Sequence, residues 1–152
     1  MRYWPFTAKK ITEAQFTYFE LFKIGQAFVD YMASGGGEKA LPAPPVLKNA
    51  TRGQIRVGLI EGLIVRLKSG ISFQDQIKIV EATGEMFCMH VKFFDLKIRG
   101  GTRETESKES FEKSCELWDR LQELIVRDGG KRFEVDPKIL RETLYPDLMA
   151  LG

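Results

Sequence analysis

Residues 73–98 read FQDQIKIVEATGEMFCMHVKFFDLKI, and this stretch decides the fold. Apolar residues recur in it at alternating intervals of four and three, which is the spacing of one face of a helix. This first stripe consists of Phe73, Ile77, Val80, Gly84, Phe87, Val91, Phe94 and Ile98. A second stripe has the same spacing and, at 100° per residue, lies on the opposite side of the helix. It consists of Ile79, Ala82, Met86, Met89, Phe93 and Leu96.

Two opposed apolar stripes indicate that this helix packs on both of its sides. We expect the first stripe to lie in the intramolecular core. The second stripe has two possible covers: other parts of the same chain, or another subunit. Left exposed, it would form an apolar patch on the order of several hundred Å², more than monomeric proteins usually show. The residues we assign to a contact between subunits are Ile79, Met86, Met89, Phe93 and Leu96.

Glycines, prolines and capping patterns divide the rest of the chain. Thr12 with Gln15, and Thr51 with Gln54, match the capping box that opens a helix. The predicted helices cover residues 11–33, 51–69, 72–99 and 107–127. An extended arm covers residues 1–10, a proline-rich extended link residues 34–48, and a tail residues 131–152, whose short helix ends before Pro146. The sequence therefore predicts a single all-α domain: a four-helix bundle with an extended N-terminal arm, a proline-rich link and a short C-terminal helical tail.

The second predicted helix is apolar around much of its circumference. It carries Gly58 and Gly62, four residues apart. Glycine costs helix propensity, so its presence in a helix usually has a packing reason. We expect another helix to approach closely at these positions.

Composition and motifs argue against an enzyme. The chain has 152 residues, one histidine, and 23 basic against 21 acidic residues. It has no phosphate-binding loop with the Gly-Lys-Ser/Thr signature. Cys88 and His90, two residues apart on a helix, point in different directions and cannot share a metal ion. We therefore expect no catalytic residue, no metal site, no cofactor and no small-molecule substrate.

Cysteine use and hydropathy bear on where the protein works. Cys88 and Cys115 are interpreted as two buried thiols in a reducing compartment, although one disulfide is arithmetically possible. No export signal is recognisable, and charges interrupt the most apolar stretch, so no membrane span is expected. The expected location is the cytoplasm, or the interior or structure of a virion if the protein is viral.

Two groups of basic residues are candidate phosphate contacts. Arg52, Arg56 and Arg66 fall within roughly 80° of one another on the second predicted helix. Lys97, Arg99 and Arg103 surround the glycine pair that follows the third. Both groups could bind nucleic-acid phosphates. Cations at a helix C-terminus are also favoured by the helix dipole without any ligand.

The order of features from Leu47 to Gly130 resembles a known family. The segment Thr51-Arg52-Gly53-Gln54-Ile55-Arg56 opens a helix after a proline-containing link, and Phe94-Asp95-Leu96-Lys97 closes the next helix before a glycine turn. This arrangement is similar to the small four-helix bundle family, which includes proteins encoded in ribosomal-RNA intervening sequences and accessory proteins of diversity-generating retroelements. The resemblance implies a non-enzymatic homo-oligomer that binds nucleic acid or a partner enzyme.

The function expected from the sequence is therefore assembly. The first hypothesis is a non-enzymatic homo-oligomeric accessory or scaffold protein that binds itself and contacts nucleic acid or a nucleic-acid enzyme. The alternative is a structural subunit of a virion, a phage particle or another large assembly. The two hypotheses share the contact between copies and differ in the role of the basic groups.

Overall fold

The computed structural model of the chain describes residues 17–34, 42–68, 70–93, 108–126 and 136–151. All regular structure in these ranges is helical, which confirms the all-α class. The six helices of the described part are α1 (Tyr18–Ala33), α2 (Pro45–Lys48), α3 (Arg52–Leu67), α4 (Phe73–Phe93), α5 (Lys108–Val126) and α6 (Pro137–Ala150). The expected arm, residues 1–10, lies outside the described residues.

Helix α3 is the centre of the described fold. It contacts α1, α4 and α6, while α5 contacts both α4 and α6. Thus α3, α4, α5 and α6 contact one another in a closed cycle, with α1 packed on α3. Because α3 has neighbours on several sides, its apolar circumference is buried nearly all round. Its buried apolar residues are Ile55, Val57, Leu59, Ile60, Leu63, Ile64 and Leu67.

Capping side chains define where the helices start. The predicted box at the start of α3 is confirmed: the Thr51 hydroxyl accepts from the Gln54 amide at 3.1 Å, and the Gln54 side chain accepts from the Thr51 amide at 2.9 Å. The first helix differs from the prediction. Its capping box consists of Thr17 and Glu20, so α1 begins at Tyr18. The predicted pattern of Thr12 and Gln15 lies outside the described residues.

Two prolines that were expected to exclude or end a helix, Pro45 and Pro146, lie inside helices. Pro45 occupies the first turn of α2, inside the region expected to be extended, because a proline there loses no hydrogen bond that the helix would make. Pro146 lies inside α6, which continues to Ala150 instead of ending before it. The described part of the predicted tail therefore contains a 14-residue helix. Its buried residues Leu140, Leu144, Tyr145 and Leu148 belong to the core.

Two close approaches explain glycines inside helices. A Cβ on Gly58 of α3 would collide with the backbone of Leu21 and Gly25 in α1, so the two helices cross backbone to backbone. A Cβ on Gly84 of α4 would lie 2.5 Å from the indole ring of Trp118 in α5. The expectation of close approach is thus confirmed at Gly58. At Gly62 the nearest atoms of the described residues belong to the Phe22 ring, 3.8 Å away, and none of the described backbone lies within 4 Å.

Candidate interaction surface

The first stripe of α4 faces the core, as predicted, at Val80, Gly84 and Phe87, whereas Phe73 and Ile77 near the start of the helix are only half-buried. Val80 and Phe87 are each 1% exposed, and Gly84 is buried. The Phe87 and Trp118 rings are 5.5 Å apart, which joins α4 to α5. Phe94 and Ile98 lie outside the described residues.

The second stripe of α4 is divided between two environments. Ile79 and Met86 are half-buried and pack against the core. Ala82 is exposed, and Met89 is 39% exposed. The side chain of Phe93, and Leu96 altogether, lie outside what the structure describes. The described part of the stripe is therefore partly covered within the chain and partly open.

An apolar groove runs along the half-buried edge of this stripe. It has a volume of about 250 Å³ and lies between α1, α3 and α4. It is lined by Val29, Leu59, Arg66, Ile79, Ala82, Thr83 and Met86. Exposed charges lie next to it on α4, where Lys78 and Glu85 share the outward side with Ala82 and Met89. We call Ile79, Ala82, Met86 and Met89 together the α4 face.

The arginines predicted to contact phosphates on α3 do not form one exposed surface. Arg56 is fully buried in α3, which corrects the expectation that it lies on the surface with its neighbours. Arg52 and Arg66 are half-buried. The second group, Lys97, Arg99 and Arg103, lies outside the described residues. Because most of the circumference of α3 is covered, angular proximity along that helix does not make these arginines accessible together.

His90 is fully buried next to Arg56. Its Nδ1 donates to the Phe87 carbonyl oxygen at 2.6 Å, and the Phe28 ring packs edge-on at 5.9 Å. Burial, and then the positive charge of Arg56, lower the pKa of His90 to about 3. The imidazole is therefore neutral at physiological pH.

Glu61 of α3 holds α6 in place through an ion pair that sequence analysis missed. Its carboxylate is 3% exposed and accepts from Arg141 Nε at 2.6 Å and from Arg141 Nη2 at 2.9 Å. The Tyr145 hydroxyl donates to the same carboxylate, and the guanidinium of Arg141 lies 4.0 Å from the centre of the Tyr18 ring. The pair raises the pKa of Arg141. The sequence carries one signal of this pair, because Glu61 lies in an otherwise apolar helix and a buried carboxylate requires a partner.

The two cysteines meet between α4 and α5. Cys88 Sγ and Cys115 Sγ are 3.7 Å apart, and both thiols are half-buried, whereas the sequence predicted burial. Burial, followed by the hydrogen bond with Cys115, raises the pKa of Cys88 to about 12. Cys88 is thus a protonated thiol at neutral pH.

Among the described residues, no group of three or more His, Cys, Asp or Glu side chains could hold a metal ion. None of the described helices combines the length and the apolar content that crossing a membrane requires. Comparison with known proteins finds no matching family model, no matching curated protein and no matching solved structure. The resemblance to the small four-helix bundle family stays a prediction.

Proposed function

We propose that this protein is a non-enzymatic scaffold that assembles with itself through the α4 face. The observation that carries the proposal is that Met89 and Ala82 remain open beside an apolar groove. Methionine suits such a contact, because its unbranched side chain adapts to an imperfect partner surface.

A second copy of the chain is the partner that the pattern of residues favours. Ile79 lies three residues before Ala82, and Met86 lies four residues after it. Antiparallel packing of two α4 helices about Ala82 would therefore place Ile79 against Met86 of the other copy. The same arrangement would bring Lys78 near the other copy's Glu85, twice by symmetry. The small side chain of Ala82 at the crossing point permits an interaxial distance of roughly 8–10 Å.

The contact is tested by Ala82→Glu combined with Met89→Glu, because both side chains are outside the core. We expect light scattering to give a multiple of the monomer mass for the wild type and the monomer mass for the variant, with equal helical content by circular dichroism. The matched control is Ile139→Glu, which alters an apolar residue of α6 that is 52% exposed and should leave the mass unchanged. A monomeric wild type at micromolar concentration, or a variant with the wild-type mass, would refute the proposal.

The antiparallel register has its own test. Lys78→Glu would set two negative charges opposite each other at both ends of the contact and should weaken association. Adding Glu85→Lys reverses both charges and should restore it. If the double charge reversal dissociates the protein as much as Lys78→Glu alone, the register is wrong.

A further inference from the structure

The contact between Cys88 and Cys115 joins two helices that also pack against each other. The residues are 27 positions apart in sequence, and their sulfur atoms lie 3.7 Å apart. The same pair of helices meets at Phe87 and Trp118, and at Gly84, so the backbones are already close here. Shortening the sulfur–sulfur distance to the roughly 2.05 Å of a disulfide needs a movement of under about 2 Å.

We propose that Cys88 and Cys115 form a reversible intramolecular disulfide that locks α4 to α5 when the protein meets a disulfide oxidant such as oxidised glutathione. Both thiols are half-buried, so an oxidant has access to the pair. The pair is formed by two helices of one chain, and Cys88 lies on a different side of α4 from Ala82 and Met86. The disulfide is therefore compatible with a contact at the α4 face and does not depend on it.

The exchange proceeds in two steps. Burial raises the pKa of Cys88 to about 12, so Cys88 keeps its proton and the first attack falls to Cys115. The Cys115 thiolate attacks one sulfur of oxidised glutathione, forms a mixed disulfide, and expels a glutathione thiolate that takes up the proton lost by Cys115. Cys88 then loses its proton to the second departing glutathione thiolate and attacks the sulfur of Cys115. Two electrons and two protons pass from the protein to glutathione, giving one protein disulfide and two reduced glutathiones.

The bond should stabilise the fold by restricting the unfolded chain. A crosslink that closes a loop of this length should raise the midpoint of thermal unfolding by about 10 °C. Because the sulfur atoms are already in contact, the native helices need little distortion.

The experiment equilibrates the full-length protein in glutathione buffers of increasing oxidised fraction and follows thiol content, mass and thermal unfolding. We expect two thiols to be lost per chain, with a mass decrease of two hydrogen atoms and the rise in unfolding midpoint given above. Cys88→Ser should instead stop at the mixed disulfide on Cys115. The variant with both cysteines changed to serine should unfold at one temperature in all buffers.

Three outcomes would overturn the proposal. Glutathione retained on both cysteines would show that the sulfurs do not reach each other. Disulfide-linked pairs of chains in denaturing gels would show that the bond forms between molecules. An unfolding midpoint that is unchanged or lower in the oxidised protein would show that the bond does not fit the native helices.

Discussion

Arg141 of α6 donates two hydrogen bonds, of 2.6 and 2.9 Å, to the Glu61 carboxylate of α3. The two residues are 80 positions apart in the sequence. The carboxylate is almost completely shielded from water, whereas Arg141 keeps a fifth of its side chain exposed. Burying a charge is costly unless it is paired. The fixed position of α6 on α3 therefore depends on both members of the pair.

Arg141→Met should destabilise the protein by about 3–5 kcal/mol in a denaturant titration, because it leaves the Glu61 carboxylate buried without its cation. Replacing Glu61 by leucine in the same protein should recover most of that loss. The control is Arg120→Met, which breaks an ion pair with Asp147 whose side chains are nearly half exposed, and should cost at most about 1 kcal/mol. Equal losses from Arg141→Met and Arg120→Met would contradict the special role of the buried pair.

Gly58→Ala should cost about 1–3 kcal/mol or more, because the added Cβ meets the backbone of α1 and forces α1 away from α3. Gly62→Ala, four residues along the same helix, meets only a ring edge at ordinary contact distance. It should therefore be neutral or stabilising by about 0.5–1 kcal/mol, the gain in helix propensity. Thermal unfolding of the two variants measures the difference, and a stabilised Gly58→Ala protein would mean that the helices do not cross there.

Phe87→Ala should cost about 3–5 kcal/mol, since it removes a ring that is 1% exposed and opens a cavity beside Trp118. Val65→Ala, at a position that is 53% exposed, should change stability by less than about 0.5 kcal/mol. If Phe87→Ala lowers the free energy of unfolding by less than about 1 kcal/mol, the first stripe of α4 is not part of the core.

Acid should destabilise the protein through His90. Its pKa is about 3 in the folded state, against 6.5 for an ordinary histidine, so the unfolded chain binds the proton more readily. Stability is then complete above pH 6.5 and is lost as the pH falls from 6.5 towards 3. Between pH 7.5 and pH 5 the loss should be about 2 kcal/mol. His90→Gln should flatten this part of the pH profile, and a variant with the wild-type slope would show that other groups cause it.

In the described part of the chain, Arg52 and Arg66 are the arginines predicted to contact nucleic acid that are not fully buried. Arg52→Glu with Arg66→Glu should weaken binding to a short duplex and reduce the salt dependence of the affinity by about one unit of slope per lost phosphate contact. Lys23→Glu with Lys138→Glu makes the same change in net charge at exposed positions on α1 and α6. If both double variants weaken binding equally, or if the wild type does not bind the duplex at low salt, Arg52 and Arg66 are not specific phosphate contacts.

Sequence predicted most reliably what depends on near neighbours in the chain. The capping box of Thr51 and Gln54 and the buried middle of the first stripe, including Phe87, both follow from spacings of three and four residues. Thr17 with Glu20 carries the same type of signal and caps α1, whereas the predicted cap at Thr12 lies outside the described residues.

By itself, then, the sequence determined that the chain is helical, which face of α4 is most apolar, and where most of the described helices lie, because helix periodicity and capping are local properties. Only the tertiary structure decided what covers each face. In the folded protein Arg56 is buried beside His90, and Glu61 is paired with Arg141 of α6. Helix α6 continues beyond Pro146, and its buried residues belong to the core. Within the α4 face, Ala82 and Met89 are exposed beside the groove, whereas Ile79 and Met86 pack against the core. These outcomes depend on helices that are distant in sequence and meet only on folding, and no local spacing encodes which of them will meet.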